Sequence, residues 1–195
     1  MSDRLFKPSR AHKLEDPTRR TWMPIEDVLN SLDLKPGMRA ADIGAGTGYF
    51  AIPLAQQVGP EGKVFAVDLQ PEMLDLLRAK LDQADGPGNL ELRQGEAGST
   101  TLNTASVDLV FLANVWHELD EPAAALREAY RILRAGGQLA ILDWRPDMPS
   151  PPGPPQDHRV SAADVESFLM TNGWRTKPPK MVGQYSYLIV AGRQL

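Results

Sequence analysis

The feature that most constrains this fold is a short apolar run, residues 38–43, that breaks at once into Gly44, Gly46 and Gly48. Glycine turns a chain sharply and lets other groups approach the backbone, so the run reads as a strand, a tight loop and a helix over residues 49–58. The alternation then repeats. Residues 63–68 read as a buried strand, and Pro71 opens a helix whose Met73, Leu74, Leu77 and Leu81 share a face. Residues 90–93 and 107–114 read as further strands. Residues 122–135 read as a helix with Leu126, Ala129, Tyr130 and Leu133 inward, stopped by Gly136 and Gly137, and residues 137–143 as the next strand. Ser161 and Asp164 form a capping box for a helix with Val165, Phe168 and Leu169 inward. Trp174 onward and residues 185–190 are expected to pair as a terminal hairpin. Repeated β–α units with near-continuous apolar strands are the pattern of a parallel sheet covered on both faces.

Composition sets the outer limits. At 195 residues, 42% of them hydrophobic, the chain is expected to form one globular domain. Within it, residues 1–35 read as an N-terminal segment and residues 36–195 as the main body. In the segment, Ile25, Val28, Leu29 and Leu32 recur at helical spacing behind Pro24, so this helix should carry the charged residues before it onto the body as a lid. A frayed tail is the other reading. Six of the ten residues 146–155 are proline, which makes a stiff excursion inside the same domain. The net charge of −4 disfavours nucleic acid as a partner. With no cysteine, disulfides and thiolate metal sites are excluded. No secretory signal and no run of apolar residues long enough to cross a bilayer are visible, so a cytoplasmic protein without stable membrane insertion is expected. The oligomeric state is open.

The glycine loop alone fits an ordinary tight turn as well as a ligand site. Asp68 adds information: it ends the next strand, 20 residues after Gly48, where a carboxylate can accept hydrogen bonds from both ribose hydroxyls of an adenosine. A dinucleotide fingerprint would then need a glycine at position 49, which is Tyr49. Asp42, at the end of the first strand, would repel a pyrophosphate but attract an ammonium group.

With these residues in place, the sequence resembles the class I S-adenosylmethionine (SAM)-dependent methyltransferases over residues 36–192, particularly the small-molecule branch that includes quinone-biosynthesis and sterol-type enzymes. The resemblance implies an α/β, Rossmann-like, doubly wound sheet of seven mostly parallel strands, with a C-terminal antiparallel hairpin and helices on both faces. It implies SAM as cofactor, S-adenosylhomocysteine (SAH) as product and no metal. The implied cofactor contacts are Asp42, Gly44, Ala45, Gly46, Thr47 and Gly48 in the turn, and Asp68, Leu69 and Met73 after the second strand. Gly95, Glu96 and Ala97 would flank adenine, with Glu96 where the family more often has aspartate, and Asn114 would follow the fourth strand. Asp68→Ala is expected to abolish SAM binding and spare the fold, as an exposed strand-end carboxylate would.

In open α/β sheets ligands lie beyond the carboxyl ends of the strands, which puts residues 114–118, 143–145 and the prolines beside the glycine turn. Methyl transfer needs alignment and exclusion of water, and a base only where the nucleophile must lose a proton. His117 is the candidate base; the other reading, which its place favours slightly, is a helix-entry histidine satisfied by backbone. Trp22, Trp116 and Trp144 could wall a small-molecule substrate or belong to the core, with Trp144 favoured by its strand-end position. Arg145, His158 and Arg159 are the further substrate-pocket candidates, the last two otherwise being solvated loop. Arsenite is excluded as acceptor for want of thiolates. An exocyclic base nitrogen would call for an Asn/Asp-Pro-Pro-aromatic run, which is absent after the fourth strand, and a metal-dependent catechol site for clustered carboxylates, of which only Asp143 stands there. The alternatives are a nicotinamide-dependent reductase and a SAM-binding protein that acts through partners without catalysis.

Overall fold

The computed structural model describes residues 5–193; residues 1–4 of the N-terminal segment and residues 194–195 lie outside the described residues. In chain order the elements begin with α1 (Arg19–Trp22), α2 (Ile25–Leu29), β1 (Arg39–Ile43), α3 (Ala51–Val58), β2 (Lys63–Asp68), α4 (Pro71–Gln83) and β3 (Leu90–Gln94). They continue with β4 (Val107–Ala113), α5 (Pro122–Ile132), β5 (Leu133–Trp144), α6 (Ala162–Thr171), β6 (Trp174–Thr176), β7 (Lys180–Val182) and β8 (Ser186–Arg193).

The strands form one sheet in the order β3-β2-β1-β4-β5-β8-β6, with β7 pairing along β8. The first five are mutually parallel, and β8 runs antiparallel to β5, β6 and β7. Alternation of side chains sorts the strand residues between two cores. Ala40, Leu109, Phe111, Ala140 and Leu142 pack with α2 and α3, whereas Ala41, Val110, Leu112, Leu139 and Ile141 pack with α5 and α6. Both sides of the central strands are therefore dry, which is why they read as unbroken apolar runs. A fully buried side chain such as Leu54 or Ile132 contributes about 1.5–3 kcal/mol to that packing.

Three local expectations change. Helix α5 stops at Ile132, and Leu133, buried as expected, is already the first residue of β5. Its inward stripe is Ala125, Leu126, Ala129 and Ile132, so Tyr130 faces outward at 47% exposed, its ring capped by the Arg193 guanidinium at 3.9 Å. Helix α3 begins at Ala51, because Gly48 takes a φ of +83° and the turn runs on through Tyr49 and Phe50. The terminal hairpin is larger than expected: β8 inserts between β5 and β6, which gives its apolar residues a partner on each side. Of the expected capping box the Ser161 half forms, with the Asp164 N–H donating to Ser161 Oγ at 3.1 Å. Among the described residues no helix is long and apolar enough to cross a membrane.

Candidate active site

The chain leaves β1 toward β2 and leaves β4 toward β5, in opposite directions from adjacent strands, so the crevice of the sheet opens beyond Ile43 and Ala113. A cavity of about 1200 Å³ lies there. One wall is the glycine turn, with Asp42, Gly44, Ala45, Gly46 and Thr47 all lining it. Gly44 has a φ of +75°, and a β-carbon on it would overlap the Val115 side chain, so only glycine lets the loop after β4 close against the loop after β1. Gly48, the last of the three, does not line the cavity; a β-carbon there would collide with Leu77 on α4. Its place is packing rather than ligand contact.

Two buried carboxylates face this wall. Asp68 is 6% exposed; its Oδ2 accepts the Gly46 N–H at 2.8 Å and its Oδ1 the Gln70 N–H at 2.9 Å. The expected exposed strand-end carboxylate is thus a buried one that ties β2 to the glycine turn. Burial raises its pKa against the pull of those N–H groups. Asp42 is 2% exposed, and burial together with the Asp68 charge pushes it up to about 7. The cation acting on it is Arg19 of α1, which also lines the cavity. The Arg19 guanidinium stacks 3.8 Å over the Tyr49 ring and donates to the Leu14 carbonyl at 3.2 Å. The Tyr49 hydroxyl in turn donates to the Met23 carbonyl at 2.7 Å. The residue that stands in place of a dinucleotide glycine therefore docks the N-terminal segment.

That segment lies across the turn. Leu14 sits over Gly46, the Lys80 ammonium holds Glu15 at 2.8 Å, and the Gln70 amide donates to the Phe6 carbonyl at 2.9 Å. Further along, Leu69, Met73, Gly95, Glu96 and Ala97 line the same cavity. Met73 is fully buried, whereas Leu69 is 42% exposed.

The opposite end is built by the loops after β4 and β5. Asn114 adopts a φ of +60°, its Nδ2 contacts Met23 Sδ at 3.3 Å, and its Oδ1 is buried without a hydrogen-bond partner. His117 is 5% exposed, and its Nδ1 stands 2.8 Å from Asp143 Oδ1. Trp22 and Trp144 lie against each other with ring centroids 5.4 Å apart, and with Pro151, Pro152 and His158 they complete the wall.

Three candidates fall elsewhere. Arg145 turns away to Asp147 at 2.6 Å and the Gln184 carbonyl at 3.2 Å. Arg159 is 6% exposed and forks onto the carbonyls of Arg145, Met148, Pro152 and Pro154 at 2.7–3.1 Å, knitting the proline excursion together from behind. Trp116 packs in the core against Phe168 at 5.8 Å. Conversely, Arg19, Leu14 and Glu118 line the cavity without having been singled out in the sequence. Glu118 is adjacent to a candidate base and could have been found; Arg19 had no local signal.

Comparison with known proteins agrees with this architecture. A methyltransferase-domain family model matches residues 41–141. The structure superposes on a SAM-dependent methyltransferase from Aquifex aeolicus with a TM-score of 0.90 and 34% identity, covering 96% of this chain and 98% of that one. An arsenite methyltransferase from Halobacterium salinarum is 36% identical over 118 residues, 60% of this chain and 30% of that protein. A demethylmenaquinone methyltransferase from Geobacillus kaustophilus is 33% identical over 118 residues, 60% of this chain and 50% of that protein. The match thus spans 30% and 50% of the lengths of these two relatives. The turn, its carboxylates and these matches together show that the chain belongs to the class I SAM-dependent methyltransferases, in the methyltransferase-domain family.

Proposed function

We propose that this protein transfers the methyl group of SAM to a small-molecule acceptor held in the same cavity. The observation that carries this reading is the single cavity of about 1200 Å³ running from the glycine turn to the Trp22–Trp144 wall, larger than the roughly 300–1,000 Å³ that one small ligand needs. It has room for a cofactor at one end and an acceptor at the other.

The residues fit SAM. Asp42 is a buried carboxylate whose charge needs a cation, and the methionine ammonium supplies one; Arg19 beside it suits the methionine carboxylate. The free lone pairs of Asp68 suit the ribose hydroxyls. Leu69, Met73 and Ala97 offer apolar contact to adenine, and Glu96 an acceptor for its amino group. The orphaned Oδ1 of Asn114 is a further acceptor waiting at the methionine end. Residues 5–18 act as a lid, held down by the Lys80–Glu15 pair and the Gln70 contact.

Trp22, Trp144, His158 and the prolines form the acceptor chamber, whose paired indoles suit a flat apolar molecule. Relatives act on arsenite and on demethylmenaquinone. This sequence has no cysteine to hold arsenic, so an organic acceptor is the better fit. Incubation with methyl-labelled SAM and a fractionated extract of cell metabolites tests the reading. Label in a small-molecule fraction is expected; label recovered only on protein or nucleic acid would contradict it.

A further inference from the structure

The acceptor end of the cavity carries a carboxylate–imidazole–carboxylate row that seating the cofactor does not use. His117 lies on the 3-10 turn Trp116–Glu118 directly after β4, and β5 beside it brings Asp143 across from the turn. Asp143 is fully buried. Its Oδ2 accepts the His117 backbone N–H at 3.0 Å, and its Oδ1 accepts the Trp144 N–H at 2.7 Å and faces His117 Nδ1 at 2.8 Å. A carboxylate that already collects backbone donors holds the imidazole as the Nδ1–H tautomer, because that tautomer alone offers it a further donor. The lone pair is then on Nε2. Glu118 Oε1 stands 3.8 Å from Nε2, beyond hydrogen-bond reach, and both His117 and Glu118 line the cavity. A structural histidine would have both ring nitrogens paired within the core. Here one nitrogen is fixed and the other is left beside a second carboxylate.

We propose that His117 is the general base of the transfer, oriented by Asp143 and relieved of its proton through Glu118, and that the acceptor is therefore a nucleophile that must lose a proton, such as a phenol or an enol. This rests on the methyltransferase reading above and narrows it to a substrate class. SAM supplies an electrophilic methyl carbon whose bond to sulfur breaks with the electron pair passing to sulfur. The acceptor X–H bond breaks toward Nε2, and the pair it leaves on X forms the new X–C bond. The imidazolium so formed carries the positive charge that the sulfonium loses, and Asp143 and Glu118 flank it. A nucleophile with a lone pair already free, such as a tertiary amine or a thioether, would need none of these residues.

The electrostatics agree with the geometry. Burial works against a charged imidazole, but the Asp143 charge and hydrogen bond, with Glu118, outweigh it and raise His117 above the ordinary histidine value; Arg159 opposes them. Burial pushes Glu118 up to about 7 despite His117, with Asp143 and Asp68 adding to the rise. The groups around the pair thus raise both His117 and Glu118, the direction that favours a proton held between base and relay.

Only three histidines, His12, His117 and His158, are present, so ring-nitrogen NMR of the whole protein with SAH bound reads this one directly. The expected result is an Nδ1–H tautomer for the neutral His117 ring, with Nε2 unprotonated, changed in Asp143→Asn. An Nε2–H tautomer would overturn the proposal. Methyl-labelled SAM is offered in parallel to a panel of phenols and enolisable 1,3-dicarbonyls and to a panel of tertiary amines and thioethers. Label is expected only in the first panel, falling about 100-fold or more in His117→Gln with SAH affinity retained. Asp143→Asn is expected to lower kcat and shift its pH profile, with the acceptor KM little changed. Label in the second panel, or in neither, contradicts a protic acceptor. Failure of the wild-type protein to bind SAH would instead refute the SAM reading itself.

Discussion

The backbone N–H of Gly46 donates to Asp68 Oδ2 at 2.8 Å, so the carboxylate that ends β2 also fixes the loop that leaves β1. Cofactor recognition and loop shape are thereby coupled. Asp68→Ala removes the acceptor for two N–H groups, Gly46 and Gln70, in a buried place and is expected to cost about 1–3 kcal/mol of stability besides SAM binding. Urea unfolding beside calorimetry checks both. Lost binding with unchanged stability would show that the turn holds its shape without Asp68.

Asp42 makes stability depend on pH. Its pKa rises from 3.8 to about 7 in the fold, so the native protein holds this proton more tightly than the unfolded chain does. The contribution is full below about pH 4 and is lost as pH rises through 7, by up to about 4 kcal/mol, roughly three units at 1.36 kcal/mol each. Asp42→Asn is expected to raise the unfolding midpoint of the ligand-free protein at pH 8 far more than at pH 4, while weakening SAM. Equal effects at the two pH values would contradict a buried carboxylate.

Arg159 holds the roof of the acceptor chamber from outside it. Arg159→Ala strands carbonyls that its guanidinium satisfies, including Pro152 at 2.7 Å and Arg145 at 2.9 Å, and is expected to cost roughly 2 kcal/mol or more. SAM affinity should stay within about twofold, since nothing at the glycine turn touches it. A large loss of SAM affinity by calorimetry would show that the two ends of the cavity are not independent.

The glycines differ in what they tolerate. Gly48→Ala combines a φ of +83° with collision against Leu77, and is expected to destabilise by about 2–4 kcal/mol, strain and overpacking together. Gly46→Ala has a φ of +54° but meets only Leu14, at 3.5 Å, and should cost about 1–2 kcal/mol. Thermal unfolding of the pair tests the order; Gly46→Ala as the worse variant would reverse it.

The cofactor half of the cavity was legible because its information is local. Strand, glycines and the next strand-end acid follow one another in sequence, and Asp42, Ala45 and Asp68 line the cavity they imply. The acceptor half depends on which strands become neighbours. Asp143 meets His117 only because β5 lies beside β4, bringing together residues 26 apart in sequence. The Arg19 charge acts on Asp42 only because Tyr49 docks α1. Arg159 looked like a substrate contact because an arginine after a loop is usually solvated, and its burial among carbonyls leaves no trace in periodicity. Tyr130 misled for a different reason: α5 ends three residues early, at Ile132 rather than 135, and the apolar stripe runs along Ala125 and Ala129 rather than the larger side chain.

Isothermal titration of the protein with SAM, SAH and NADH addresses the central claim most directly, because Asp42, Asp68 and Tyr49 together distinguish these ligands. One-to-one binding of SAM and SAH is expected, with proton release at pH 6.5 as the ammonium recharges Asp42, and no heat from NADH. Binding of NADH with none of SAM would contradict it.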